Sequence, residues 1–114
     1  MSMNIMITLP QKVKWADYEQ ELAAVADGQN WLNFRVPSLP KYLKQRAKCF
    51  LVHRGFVVGW MYVCGLLDSD GFTCTTTGAY WTPGKYVQRS GPFYFLATPI
   101  VQKGFQGWHY TELA

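Results

Sequence analysis

The chain has 114 residues, enough for one domain spanning 1–114 and too few for two sizeable cores. Hydrophobic residues make up 49% and aromatic residues 17%, which supplies a core without disulfides and excludes a disordered chain. The net charge of +4 is unevenly placed: four of the seven acids, Asp17, Glu19, Glu21 and Asp27, fall in one short stretch, and Gly28 to Leu67 has cations and no acid.

Asn4-Ile5-Met6-Ile7-Thr8 is short and apolar, as expected of a strand, and Pro10 ends it. It falls far below the length of a signal h-region or membrane span, so a cytoplasmic location and no membrane partner are expected. Over 14–27, Trp15, Tyr18, Leu22 and Val25 recur at three- and four-residue steps. That spacing predicts the chain's main helix, with acids in its early turns and Gly28 at its end. Residues 30–36 alternate, so Leu32, Phe34 and Val36 are expected on the core face, with Trp31 and Arg35 exposed together. Pro37 and Pro40 bracket a loop, and 41–47 is read as a helical turn.

Cys49–His53 and Phe56–Cys64, joined by Arg54-Gly55, have the pattern of a β-hairpin. Gly59 inside the second strand signals a bulge or a close backbone approach. Asp68-Ser69-Asp70-Gly71 marks a further turn, leading into a strand over 72–77. Later strands are expected at 93–97, 100–102 and 107–113. One helix with a meander of strands gives an α+β chain, a small curved antiparallel sheet or barrel.

Thr73 to Lys103 contains no Asp or Glu, yet carries Tyr80, Trp81, Tyr86, Phe93, Tyr94 and Phe95 with Lys85, Arg89 and Lys103. Rings offer stacking faces, and cations attract phosphates. The Gly78–Tyr86 stretch, with its Gly and Pro, reads as an irregular loop. Such a loop either forms a binding surface or closes the end of a barrel with its own aromatics. In the first case Tyr80, Trp81 and Tyr86 are the walls for a base. Thr82, Gln88 and Ser90 are polar contacts, and Lys85 and Arg89 hold flanking phosphates.

Catalytic constellations are absent from the pattern. Cys49, Cys64 and Cys74 have neither Cys-x-x-Cys spacing nor a suitably spaced histidine, so free thiols and no metal are expected. The acids do not form an acid–base pair that spacing identifies. No cofactor is expected, and an enzyme is the least favoured reading.

The hairpin Cys49-Phe50-Leu51-Val52-His53-Arg54-Gly55-Phe56-Val57-Val58-Gly59-Trp60-Met61 resembles the central hairpin of the PUA-like superfamily, which includes PUA, ASCH and EVE domains. A preceding helix, a following meander and an aromatic C-terminal strand fit the same pattern. The charged Gly-x-Lys-x-x-Glu-x-Arg pattern of ASCH domains is absent. The resemblance implies a pseudobarrel that binds RNA or modified DNA bases, and the aromatic-basic stretch adds single-stranded DNA to the expected partners. The expected function is therefore a non-catalytic nucleic-acid-binding module, with Tyr80, Trp81, Lys85, Tyr86, Arg89 and Ser90 at its site. The alternative is a small bacterial or phage accessory protein that acts through a protein partner, where Tyr, Trp and Arg would fill an interface.

Overall fold

The computed structural model describes residues 3–74 and 77–114. Its elements are β1 (Asn4–Thr8), α1 (Trp15–Val25), β2 (Leu32–Val36), β3 (Lys48–His53), β4 (Phe56–Ser69), β5 (Phe72–Thr73), β6 (Tyr80–Trp81), β7 (Gly84–Val101) and β8 (Trp108–Thr111). Six strands form one sheet in the order β2-β7-β4-β3-β1-β8, and β5 pairs with β6 separately. The α+β reading holds in this form. The expected all-antiparallel sheet does not: β1 runs parallel to β3, while the other neighbours are antiparallel. The crossover carrying α1 and β2 returns the chain in the same direction, as a parallel pair requires. The sheet is not closed, since β2 and β8 are its two edges.

The helix forms as its periodicity predicts. Tyr18, Leu22 and Val25 are buried on its inner face, and Trp15 is half-buried. Each aliphatic side chain so buried contributes about 1.5–3 kcal/mol. Gly28 takes φ +80° just past the helix, and its N–H donates to the Val25 carbonyl at 3.1 Å. The main core under α1 gathers Ile5, Ile7, Leu32, Leu51, Met61 and Val87. A second cluster, Met6, Phe50, Val52 and Val57, is closed by Trp60, Leu96 and Phe105.

Two local expectations are corrected. Residues 41–47 are not helical, because the backbone of Tyr42 and Lys44 bonds to Met3 beside β1, with Tyr42 accepting from Met3 at 2.7 Å. The Tyr110 hydroxyl accepts the Lys41 and Tyr42 N–H groups and ties the start of this segment to β8. The strand expected at 72–77 shortens to Phe72–Thr73, and Thr75 and Thr76 lie outside the described residues.

The larger correction concerns 78–90. Only residues 78–79 and 82–83 are irregular, on either side of the short β6; from Gly84 the chain enters the longest strand. Lys85 to Arg89 satisfy their backbone on both sides, against Val36–Leu32 of β2 and Asp68–Val63 of β4. Beyond Arg89, β2 has ended and only β4 pairs with β7. Pro92 and Pro99 fall in stretches that the β4 register skips, so neither removes a ladder bond. No helix among the described residues is long and apolar enough to cross a membrane.

Gly59 sits at a register shift in the β4–β7 pairing. A Cβ there would lie 2.4 Å from the Tyr94 carbonyl oxygen and 2.5 Å from the Phe93 ring. Both features that the interior glycine signals are therefore present. Gly59→Ala forces these strands apart and is expected to cost about 2–3 kcal/mol, measured by urea unfolding. A loss under about 0.5 kcal/mol would contradict the close approach.

Candidate functional site

The site is a cavity of about 310 Å³ between α1 and the β2–β7 end of the sheet. Tyr18 and Glu21 enter from α1, Asn33, Phe34 and Arg35 from β2, Trp81 from β6 and Arg89 from β7. Ile7, Leu9, Val13, Leu32 and Leu51 make the rest mostly apolar. The volume lies at the lower end of the range for small-ligand pockets, roughly 300–1,000 Å³.

Arg89 dominates its chemistry. It projects from the middle of β7 and is only 3% exposed. Nη1 donates to the Tyr18 hydroxyl at 2.7 Å and approaches the Met61 sulfur at 3.9 Å. Neither group carries negative charge. Burial works against the guanidinium charge, but Tyr18, Cys49 and Glu21 outweigh it and hold the pKa above its ordinary value. Burial pushes the Cys49 thiol up to about 11, so at neutral pH that group is an uncharged SH. Glu21, half-buried across the cavity, is then the one formal countercharge among these groups.

Three donors around this cavity lack a hydrogen-bond partner among the described residues: Arg89 Nε, Asn33 Nδ2 and Trp81 Nε1. Asn33 is 8% exposed, and its Oδ1 accepts from Gln88 Nε2 at 3.2 Å. That bond leaves the amide NH₂ turned away from Gln88. A buried unpaired donor costs about 1–3 kcal/mol. All three belong to residues lining one cavity, yet each of these atoms is itself closed off from solvent, so they mark an uncompensated polar cost in the cavity wall.

The structure scatters the residues singled out by sequence. Trp81 and Arg89 come together at the cavity. Tyr86 does not: it is fully buried, edge-on to Phe72 and Trp81 at 5.3 Å from each, and its hydroxyl donates to the Thr82 carbonyl. It is therefore a supporting residue and not a wall. Arg89 is too deeply buried to hold a flanking phosphate. Tyr80 is 66% exposed and stands over Gly71. Ser90 Oγ donates to the Asn30 carbonyl, and Thr82 Oγ1 accepts from Arg35 Nη1. Lys85 lies in a separate open groove with Arg35, Asp68 and Gln106.

Sequence reasoning missed Tyr18, Glu21 and Asn33 as site residues. The available signal was Glu21 beside Leu22 on the helix flank, three residues after Tyr18. Asn33 falls on the polar side of the β2 alternation, yet the neighbouring β7 side chains bury it. Cys49 and Cys74 are buried, and Cys64 is exposed. The described residues contain no cluster of His, Cys, Asp or Glu able to hold a metal.

An arginine held without a carboxylate partner at hydrogen-bond distance is a cost to the fold. Replacing it with an apolar side chain of similar length removes that cost. Arg89→Met is therefore expected to leave the free protein equally stable or up to about 2 kcal/mol more stable, measured by thermal or urea unfolding. A loss of about 2 kcal/mol or more would mark Arg89 as a structural group.

Comparison with known proteins gives no match to a family model, a curated sequence or a solved structure, so the site rests on its own geometry.

Proposed function

We propose that this protein is a non-catalytic nucleic-acid-binding module that takes one unpaired base into the cavity between α1 and β2–β7. The observation that carries the reading is a mostly apolar cavity of about 310 Å³ with the rings of Tyr18, Phe34 and Trp81 and the charged Glu21 and Arg35 in its lining. A base is planar, apolar on its faces and polar on its edge, so it needs ring or aliphatic walls and a few fixed polar groups. Trp81, Phe34 and Tyr18 offer rings, and Glu21 and Arg35 offer polar groups. Arg35 lines both the cavity and the adjoining groove with Lys85, which gives the strand's phosphates a cationic exit path. The PUA-like resemblance of the Cys49–Met61 hairpin agrees with this class of partner. A duplex hides its base edges and must first be opened, so single strands are the preferred substrate.

A second reading has its own support. Phe56, Tyr94, Phe95, Ile100 and Val101 are all exposed along β4 and the end of β7, Val101 at 79%. They divide between two faces, Tyr94 stacking on Trp60 and Phe95 meeting Trp15, and exposed apolar side chains of this kind suit a protein partner, as an accessory factor would require. Salt separates the two, since phosphate contacts weaken with ionic strength and apolar contacts respond less.

Fluorescence anisotropy with single-stranded RNA, single-stranded DNA and duplex at two salt concentrations tests the proposal. Single strands should bind more tightly than duplex. Trp81→Ala should weaken binding by about tenfold, the loss of one stacking contact. Lys85→Ala should lower the salt slope by about 0.7, one phosphate contact on a single strand. Equal and negligible binding of all three at low salt would overturn the nucleic-acid reading and leave the protein-partner reading in front.

A further inference from the structure

We infer that the sheet face turned away from α1 is a further contact surface for single-stranded nucleic acid, with Tyr94 as its stacking ring and Arg46 and Lys48 as its phosphate partners. This surface is separate from the cavity and does not depend on the cavity being filled. Cys49, Leu51 and Met61 belong to the core beneath the helix. Their neighbours Lys48, Phe50, Trp60 and Tyr62 alternate to the opposite face. Strand pairing sets these side chains beside one another: Lys48 lies opposite Tyr62, Phe50 opposite Trp60, and Trp60 opposite Tyr94 of β7.

The rings form one cluster. Trp60 and Tyr94 stack, with centroids 4.4 Å apart and planes 24° from parallel. Tyr62 meets both edge-on, 5.0 Å from Trp60 and 6.4 Å from Tyr94. Trp60 also packs on the buried Phe50, which gives the cluster a fixed base. Trp60 covers one face of Tyr94, yet Tyr94 remains 43% exposed. The ring is therefore held in place while it still offers area to a planar partner.

Two cations sit at these rings. Lys48 Nζ lies 4.3 Å from the Trp60 centroid, and the Arg46 guanidinium carbon lies 4.9 Å from that of Tyr62. Arg46 is exposed and Lys48 half-buried. Cation–ring contacts at accessible sites are weak, so a phosphate oxygen competes well for either group. Gly28–Leu67 and Thr73–Lys103 contain no Asp or Glu, and these spans supply every residue of the patch. An acidic peptide would use the cations and leave the exposed ring idle. Each nucleotide brings a flat base together with a phosphate, which matches rings and cations at once. In a duplex the base faces already stack on their neighbours, so a single strand is the form that fits.

Anisotropy with the full chain tests this, using labelled oligouridine, labelled oligothymidine and a labelled polyglutamate peptide. Tyr94→Ala should weaken strand binding about tenfold, the loss of one stacking contact, while Tyr94→Phe should keep most of the affinity. Arg46→Gln combined with Lys48→Gln leaves the ring cluster in place and should lower the salt slope by about 1.4, two phosphate contacts on a single strand. Trp81→Ala reports on the cavity alone. A loss with Trp81→Ala, and none with Tyr94→Ala or the paired cation change, would overturn this inference and leave the cavity reading standing. Losses at Tyr94 and the cations with none at Trp81 would uphold this face and remove the cavity. Polyglutamate that binds as tightly as the strands and weakens with the same cation change would overturn the nucleic-acid assignment of the face in favour of an acidic protein. Absence of binding by any strand would overturn both readings.

Discussion

β4 and β7 pair from Phe56 opposite Val101 to Ser69 opposite Gly84, and the pairing shifts register three times along the way. The first two shifts put extra residues on β7 and the third puts one on β4, and such insertions bend the strands. Gly59 and Gly65 stand at two of these shifts, where a side chain would collide with Tyr94 or Gln88. The bend leaves β7 flanked by both β2 and β4 over Lys85–Arg89 and by β4 alone beyond. Val87 and Arg89 are thereby aimed beneath α1. The core, the helix position and the cavity all follow from that one ribbon.

At Arg89 the fold departs from what stability alone would select. The flanking positions carry apolar groups: Val87 lies two residues before, and Leu32 lies opposite on β2. A valine or leucine at 89 would continue that pattern. The chain instead buries a guanidinium against a phenol and a thioether, with donors left over nearby. Local rules broken without local compensation mark sites where function, and not packing, chose the residue. The fold bears this through the apolar mass around it, with Ile5, Val25, Leu51 and Met61 at 0–1% exposure.

The helix, the first hairpin, the Gly59 bulge and the exposure of Trp31 and Arg35 were legible because each depends on neighbours in sequence. The long β7 was not. Gly84, Gly91, Pro92 and Pro99 break its local pattern, and only pairing to β4 and β2 keeps it extended. The same blindness applied to the site. Tyr86 and Arg89 have the composition of an exposed aromatic-basic loop, but a strand flanked on both sides buries them. The parallel pairing of β1 with β3 is likewise a property of the crossover and of no single residue. Trp81 and Arg89 were found because aromatic and cationic residues in an acid-free stretch are sparse. Glu21 was hidden among the acids of an ordinary helix surface.

The central claim is that an unpaired base enters the cavity lined by Tyr18, Phe34, Trp81 and Arg89. The Arg89 Nε–H and Trp81 Nε1–H signals from that lining are separately visible in ¹H–¹⁵N correlation spectra of the labelled protein. Titration with a short single strand should move both signals together, in step with the binding curve. The exposed Trp31 indole serves as the reference for contacts elsewhere on the surface. A strand that binds while the Arg89 and Trp81 signals stay in place would contradict the account.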